Sequence, residues 1–63
     1  MNIYNELLNK HIVIVKKDAI DDDKHTFTLN GILLHHSEDA VIVEIKGKKR
    51  QINKELIIDI AEH

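Results

Sequence analysis

Residues 26–60 are built from short β-branched and leucine-rich runs separated by turns of only a few polar residues. Turns that short force consecutive strands to lie side by side, so the pattern predicts an antiparallel meander. The runs are 26–34, 40–45, 48–52 and 56–60, and an earlier run at 11–16 supplies a fifth strand. Side chains alternate between faces along a strand. Phe27, Leu29, Gly31 and Leu33 therefore share one face of their strand, with Phe27 expected in the core. Val41, Val43 and Ile45 share a face of the next strand, opposite Ile42, Glu44 and Lys46. In 11–16 the apolar residues Ile12, Val13, Ile14 and Val15 occupy both faces, which calls for cover on both.

Two glycines punctuate the meander. Gly31 sits in the middle of a strand, where glycine marks a bulge or bend that lets one strand serve both halves of a small barrel. Gly47 supplies the backbone freedom of a tight hairpin. Residues 53–55 fit one 3₁₀ turn. Ahead of the strands, Ile3, Tyr4, Leu7 and Leu8 fall on one helical stripe, with Asn2 or Asn5 as the cap. The expectation is a single all-β domain over 1–63, a small, strongly bent five-stranded barrel with an N-terminal helix of two to three turns.

A chain of 63 residues buries only about 60% of the surface that its unfolded form exposes, so it usually needs a staple. With no cysteine in the chain, disulfides, thiolate metal sites and a Cys nucleophile are excluded. The remaining staples are self-association or an unusually good core, and self-association is expected. No apolar run reaches the length of a membrane span, and no secretion signal is recognisable at the N-terminus, so a cytoplasmic protein without membrane contact is expected. The net charge of −2 argues against bulk coating of nucleic acid but leaves room for a local cationic site.

Three segments resemble the Sm-like family, which includes the bacterial RNA chaperone Hfq. Residues 7–15 (LLNKHIVIV) are similar to the family's helix running into its first strand. Residues 30–34 (NGILL) resemble the glycine-bent second strand of the first Sm motif, and 52–60 (INKELIIDI) the second motif. Several other small barrels share this layout. The resemblance implies RNA binding and a ring in which the fourth strand of one subunit pairs with the fifth of the next. The departures are specific. Ser37 and Val41 stand where the first motif carries aspartate and asparagine, and Glu55 follows Lys54 where Hfq has a histidine.

The densest cationic feature is Lys46, Lys48, Lys49 and Arg50, with Lys54 nearby. Cations grouped on one hairpin can neutralise several phosphates. The competing reading is a solvated hairpin tip, and the scarcity of aromatic stacking platforms, only Tyr4 and Phe27, favours it. The five histidines show no metal-ligand spacing, and the cluster Asp18, Asp21, Asp22 and Asp23 lacks the pattern of a calcium loop. No cofactor and no metal are expected. Ser37 beside His36 and Glu38 does not make a triad, because sequence neighbours rarely have that geometry. The chain is thus read as a non-enzyme.

The sequence reading is a homo-oligomeric, RNA-binding or RNA-associated module. Lys48, Lys49, Arg50 and Lys54 contact phosphates of single-stranded RNA in this reading, and Asn30 and Asn53 bond bases or sugars. Ile42, Ile52 and Ile57 form the oligomer interface. The alternative is a protein-interaction module, a small regulator or inhibitor, on a barrel that has lost its nucleotide pocket.

Overall fold

The computed structural model describes residues 2–63. Helix α1 (Ile3–Leu7) is followed by β1 (His11–Lys17), β2 (Thr26–His36), β3 (Ala40–Ile45), β4 (Lys48–Asn53), a 3₁₀ turn (Lys54–Leu56) and β5 (Ile57–Glu62). The strands form one antiparallel sheet in the order β4-β3-β2-β1-β5. The fold is therefore all-β with one short helix. No ladder joins β4 to β5, so the sheet is open, where the sequence pattern predicts a closed barrel. Both terminal strands keep one edge free.

The helix is shorter than its apolar stripe predicts, five residues in place of two to three turns. Asn2 is the cap, its Oδ1 accepting from the Tyr4 amide at 2.9 Å. The helix ends because Asn9 adopts a left-handed φ of 64°, a conformation that Asn tolerates better than most residues. The exit is tied to the sheet: the Asn9 amide donates to the Leu33 carbonyl (2.7 Å), and the Leu33 amide donates to the Lys10 carbonyl (3.2 Å). Leu7 then drops into the core, with Tyr4 and Leu8 half-buried against it.

The core is one apolar cluster of Leu7, Ile12, Ile14, Leu33, Val41, Val43, Ile52 and Ile60. The ladder explains the set. Ile12 pairs with Gly31 and Ile14 with Ile60, while Val43 lies beside Leu33 and Val41 beside Ile52. Directly paired residues share a face, so this is the concave side of the sheet. The opposite side carries Val13, Val15, Ile32 and Ile42, which are only half-buried.

Gly31 is where β2 changes partners. Residues 26–32 of β2 pair with β1, whereas pairing with β3 starts only at Ile32–Glu44. The β3 backbone crosses Gly31 so closely that a Cβ there would lie 2.5 Å from the Glu44 carbonyl oxygen. Only glycine admits that approach. At the next turn Lys46 (φ 52°) and Gly47 (φ 80°) are both left-handed, as a two-residue hairpin with the right-handed strand twist requires. The turn is therefore Lys46-Gly47 alone; Lys48, Lys49 and Arg50 belong to β4. Among the described residues no helix is long and apolar enough to cross a membrane.

Candidate functional site

The splay of β3 away from the N-terminal half of β2 opens a groove on the concave side, beyond the end of the core. One cavity of about 340 Å³ is lined by Lys16, Phe27, Leu29, Arg50, Gln51 and Ile52. Two further cavities share Arg50 with it and extend the groove past Lys48 and along Asn30, Ile45 and Lys46. None of the residues lining these three cavities is Asp or Glu. In a chain with 11 acidic residues and a net charge of −2, these three cavities make a positive region; the adjoining cavity along Asn30 and Lys46 carries Glu44.

Strand alternation positions its side chains. Lys16 pairs with Phe27, in step with Ile14–Leu29 and Ile12–Gly31, so Lys16, Phe27 and Leu29 continue the core face. Arg50 pairs with Val43 and Lys48 with Ile45, which puts both cations on that same face. Phe27 is 48% exposed and not in the core, correcting the expectation from its apolar phase, because nothing packs over this end of the sheet. The Lys16 ammonium lies 5.7 Å from the Phe27 ring centroid, within reach of a cation–π contact, and donates to the Lys17 carbonyl at 2.9 Å.

The structure divides the residues assigned to RNA from sequence. Lys48 and Arg50 reach the groove, whereas Asn30 borders it but pairs with Val13, which puts its side chain on the convex face. Lys49 pairs with Glu44 on the convex side. Asn53 is at the far end of β4, where its Oδ1 caps the 3₁₀ turn by accepting from the Glu55 amide at 2.9 Å. Lys54 packs on the helix: its ammonium is 4.1 Å from the Tyr4 ring centroid. The other neighbour of Tyr4 is His36, with ring centroids 5.6 Å apart, and His36 Nε2 donates to Asn5 Oδ1 at 2.6 Å. This cluster of α1, the end of β2 and the 3₁₀ turn joins residues 31 apart or more and has no signature in the sequence. Lys16 was equally missed, although its phase with Ile12 and Ile14 points to the same face.

The three isoleucines assigned to an interface also separate. Ile52 is 5% exposed and belongs to the chain's own core, because its partner Val41 is a concave core residue. Ile57 is half-buried against the core, and Ile42 is half-buried on the convex face.

The acidic loop is an ordered turn. Asp22 accepts from the amides of Lys24 (2.9 Å) and His25 (3.0 Å) and lies 2.8 Å from His25 Nδ1. These bonds, the Lys24 amide first, hold its carboxyl below its ordinary value of 3.8. Asp23 pairs with Lys17 at 3.3 Å. Among the described residues no group of three or more His, Cys, Asp or Glu side chains is placed to share a metal ion. No family model, curated protein or solved structure matches this chain.

Proposed function

We propose that this chain is a non-enzymatic RNA-binding module of Sm-like small-barrel type that works as a homo-oligomer. The observation that carries the reading is the carboxylate-free groove in which cations from β1 and β4 flank an exposed aromatic ring. A single strand needs cations for its phosphates and a flat apolar face for a base. Arg50, Lys48 and Lys16 supply the first and Phe27 the second, while Asn30 lies on the other face of β2. Lys49 adds charge on the opposite side of β4, and Asn53 and Lys54 lie at the helix end as a separate group. The free edges of β4 and β5 support the oligomer, because the ring implied by the family resemblance needs both strands unpaired within one subunit.

The test is binding of a labelled single-stranded RNA pool across a salt series, with Lys48, Lys49 and Arg50 replaced together by alanine. Three neutralised phosphates give a slope of about −2 in log affinity against log salt. The triple variant is expected to bind more weakly across sequences and to flatten that slope. Unchanged affinity sinks the assignment.

A protein-interaction module on the same fold is favoured by one observation. Ser37, at the position of the missing Sm aspartate, is used inside its turn: its Oγ donates to the Ala40 carbonyl and accepts from the Ala40 amide at 3.4 and 3.3 Å. Under that reading neutralising β4 leaves partner binding intact.

A further inference from the structure

The sheet has a third free edge, along the first half of β2. β2 runs eleven residues and β3 only six, so β3 pairs with β2 from Ile32 onward and leaves residues 26–30 without a neighbour on that side. Backbone groups in an antiparallel pair alternate between the two sides of a strand. Two bonds that flank the β1–β2 ladder fix the phase. The Asp18 amide donates to the His25 carbonyl (3.3 Å), and the Leu33 amide donates to the Lys10 carbonyl (3.2 Å). Odd-numbered residues of β2 therefore bond to β1. Thr26, Thr28 and Asn30 turn their N–H and C=O groups the other way, where among the described residues no strand lies.

This edge differs from the other two in its chemistry. A free edge is normally guarded by charge, proline or a bulge. β4 carries Lys48, Lys49 and Arg50, and β5 carries Asp59 and Glu62. The segment Thr26-Phe27-Thr28-Leu29-Asn30 has no charge and no proline. Its β-branched and aromatic residues favour extended structure, and all of it but Leu29 is exposed. Donor–acceptor pairs spaced at every second residue are matched by another extended chain.

The segment is also its own complement. Laid antiparallel on a second copy about Thr28, it pairs Thr28 with Thr28 and Thr26 with Asn30 twice over. All the outward-facing residues then find bonded partners at once. Phe27 lies opposite Leu29 of the other copy, apolar against apolar on the concave face. A slip of one residue sets bonded positions against unbonded ones and turns the faces against each other. A slip of two leaves one outward-facing residue unmatched. Charge at the ends of the segment agrees. Lys46, at the hairpin tip, borders Asn30, and the antiparallel copy brings to that place the loop that precedes its own β2. That loop, residues 18–25, carries four aspartates and one lysine.

We infer that two copies of this chain pair through residues 26–30 of β2, antiparallel, about a two-fold axis at Thr28. The contact is isologous and closes at two copies. It rests on the self-association in the proposed function but uses neither β4 nor β5. Main-chain groups make the pairing. Lys48 and Arg50 therefore keep their phosphates, and the Phe27 ring stays on the concave surface for a base.

The test is the mass of the chain in solution without RNA, across a concentration series, for the native chain and for Thr28→Pro. The Thr28 amide has no partner within its own chain, so proline there removes a donor from the interface and none from the β1–β2 ladder. The variant is expected to keep the far-ultraviolet circular dichroism of the native chain and to dimerise at least about tenfold more weakly. Cysteine variants read the register independently, in a chain with no cysteine of its own. Thr28→Cys alone is expected to give a disulfide-linked dimer on oxidation. Thr26→Cys alone is expected to give none, and to crosslink when mixed with Asn30→Cys. A monomeric native chain overturns the inference. So does an assembly that Thr28→Pro leaves intact and Thr28→Cys does not lock; the chain then associates through another edge, and the homo-oligomer reading stands. RNA binding by the same samples is a separate readout: a monomer that binds RNA loses this interface and keeps the RNA module.

Discussion

Replacing Gly31 with alanine tests whether the close crossing of β2 and β3 creates the site. The added methyl would lie 2.5 Å from the Glu44 carbonyl oxygen, 2.7 Å from Val43 Cγ1 and 3.0 Å from Ile45 Cγ1. The two side-chain atoms can rotate away at modest cost. The carbonyl belongs to the β3 ladder and can move only with its strand. Overpacking a core typically costs about 1–3 kcal/mol, and a backbone obstacle puts this site at the upper end. The loss of unfolded-state freedom returns about 0.4–1 kcal/mol, leaving a net destabilisation of about 2–2.5 kcal/mol. A domain of this length has roughly 3–9 kcal/mol in total. At 4–8 °C per kcal/mol, the melting temperature should fall by about 8–20 °C. The assay is thermal unfolding by far-ultraviolet circular dichroism at two protein concentrations, to separate unfolding from dissociation. The reference variant is Gly47→Ala, where the methyl meets open space and only the φ of +80° is strained; its loss should be about 1–2 kcal/mol. If Gly31→Ala melts within a few degrees of the native chain, or above Gly47→Ala, β3 does not cross Gly31 as described and the groove has another origin.

Phe27→Ala should weaken binding of single-stranded RNA by about 1–3 kcal/mol, the worth of one stacked base, and change stability little, because the ring is already 48% exposed. A loss of stability without a loss of affinity would return Phe27 to a structural role. For Asp22, the bonds from Lys24 and His25 lower the folded-state value, so the order they confer is present above the ordinary value of 3.8 and is lost as pH falls through the lower, folded one. Carboxyl chemical shifts followed through a pH titration should place the Asp22 midpoint below 3.8, with faster exchange of the Lys24 and His25 amides beneath it. A midpoint at or above that value contradicts the turn.

The strands were legible because their signals are local. Alternation places Val41 and Val43 in the core, and Lys46-Gly47 closes a two-residue hairpin; Gly31 read as a bend serving a closed barrel, whereas in the open sheet it admits the close crossing of β3. The one-turn connection after β4 was legible for the same reason, though it runs Lys54–Leu56, one residue later than the pattern predicts, with Asn53 as its cap. What was not legible depends on where the sheet runs out. The phase of Phe27 is that of a core residue, yet the β2–β3 ladder stops at Ile32–Glu44 and leaves its end uncovered. Counting cations along the chain made one cluster of Lys48, Lys49 and Arg50, although the same alternation that assigns the core separates Lys49 from the other two. The packing of Tyr4 against Lys54 and His36 joins three distant segments, and no spacing within the sequence encodes it.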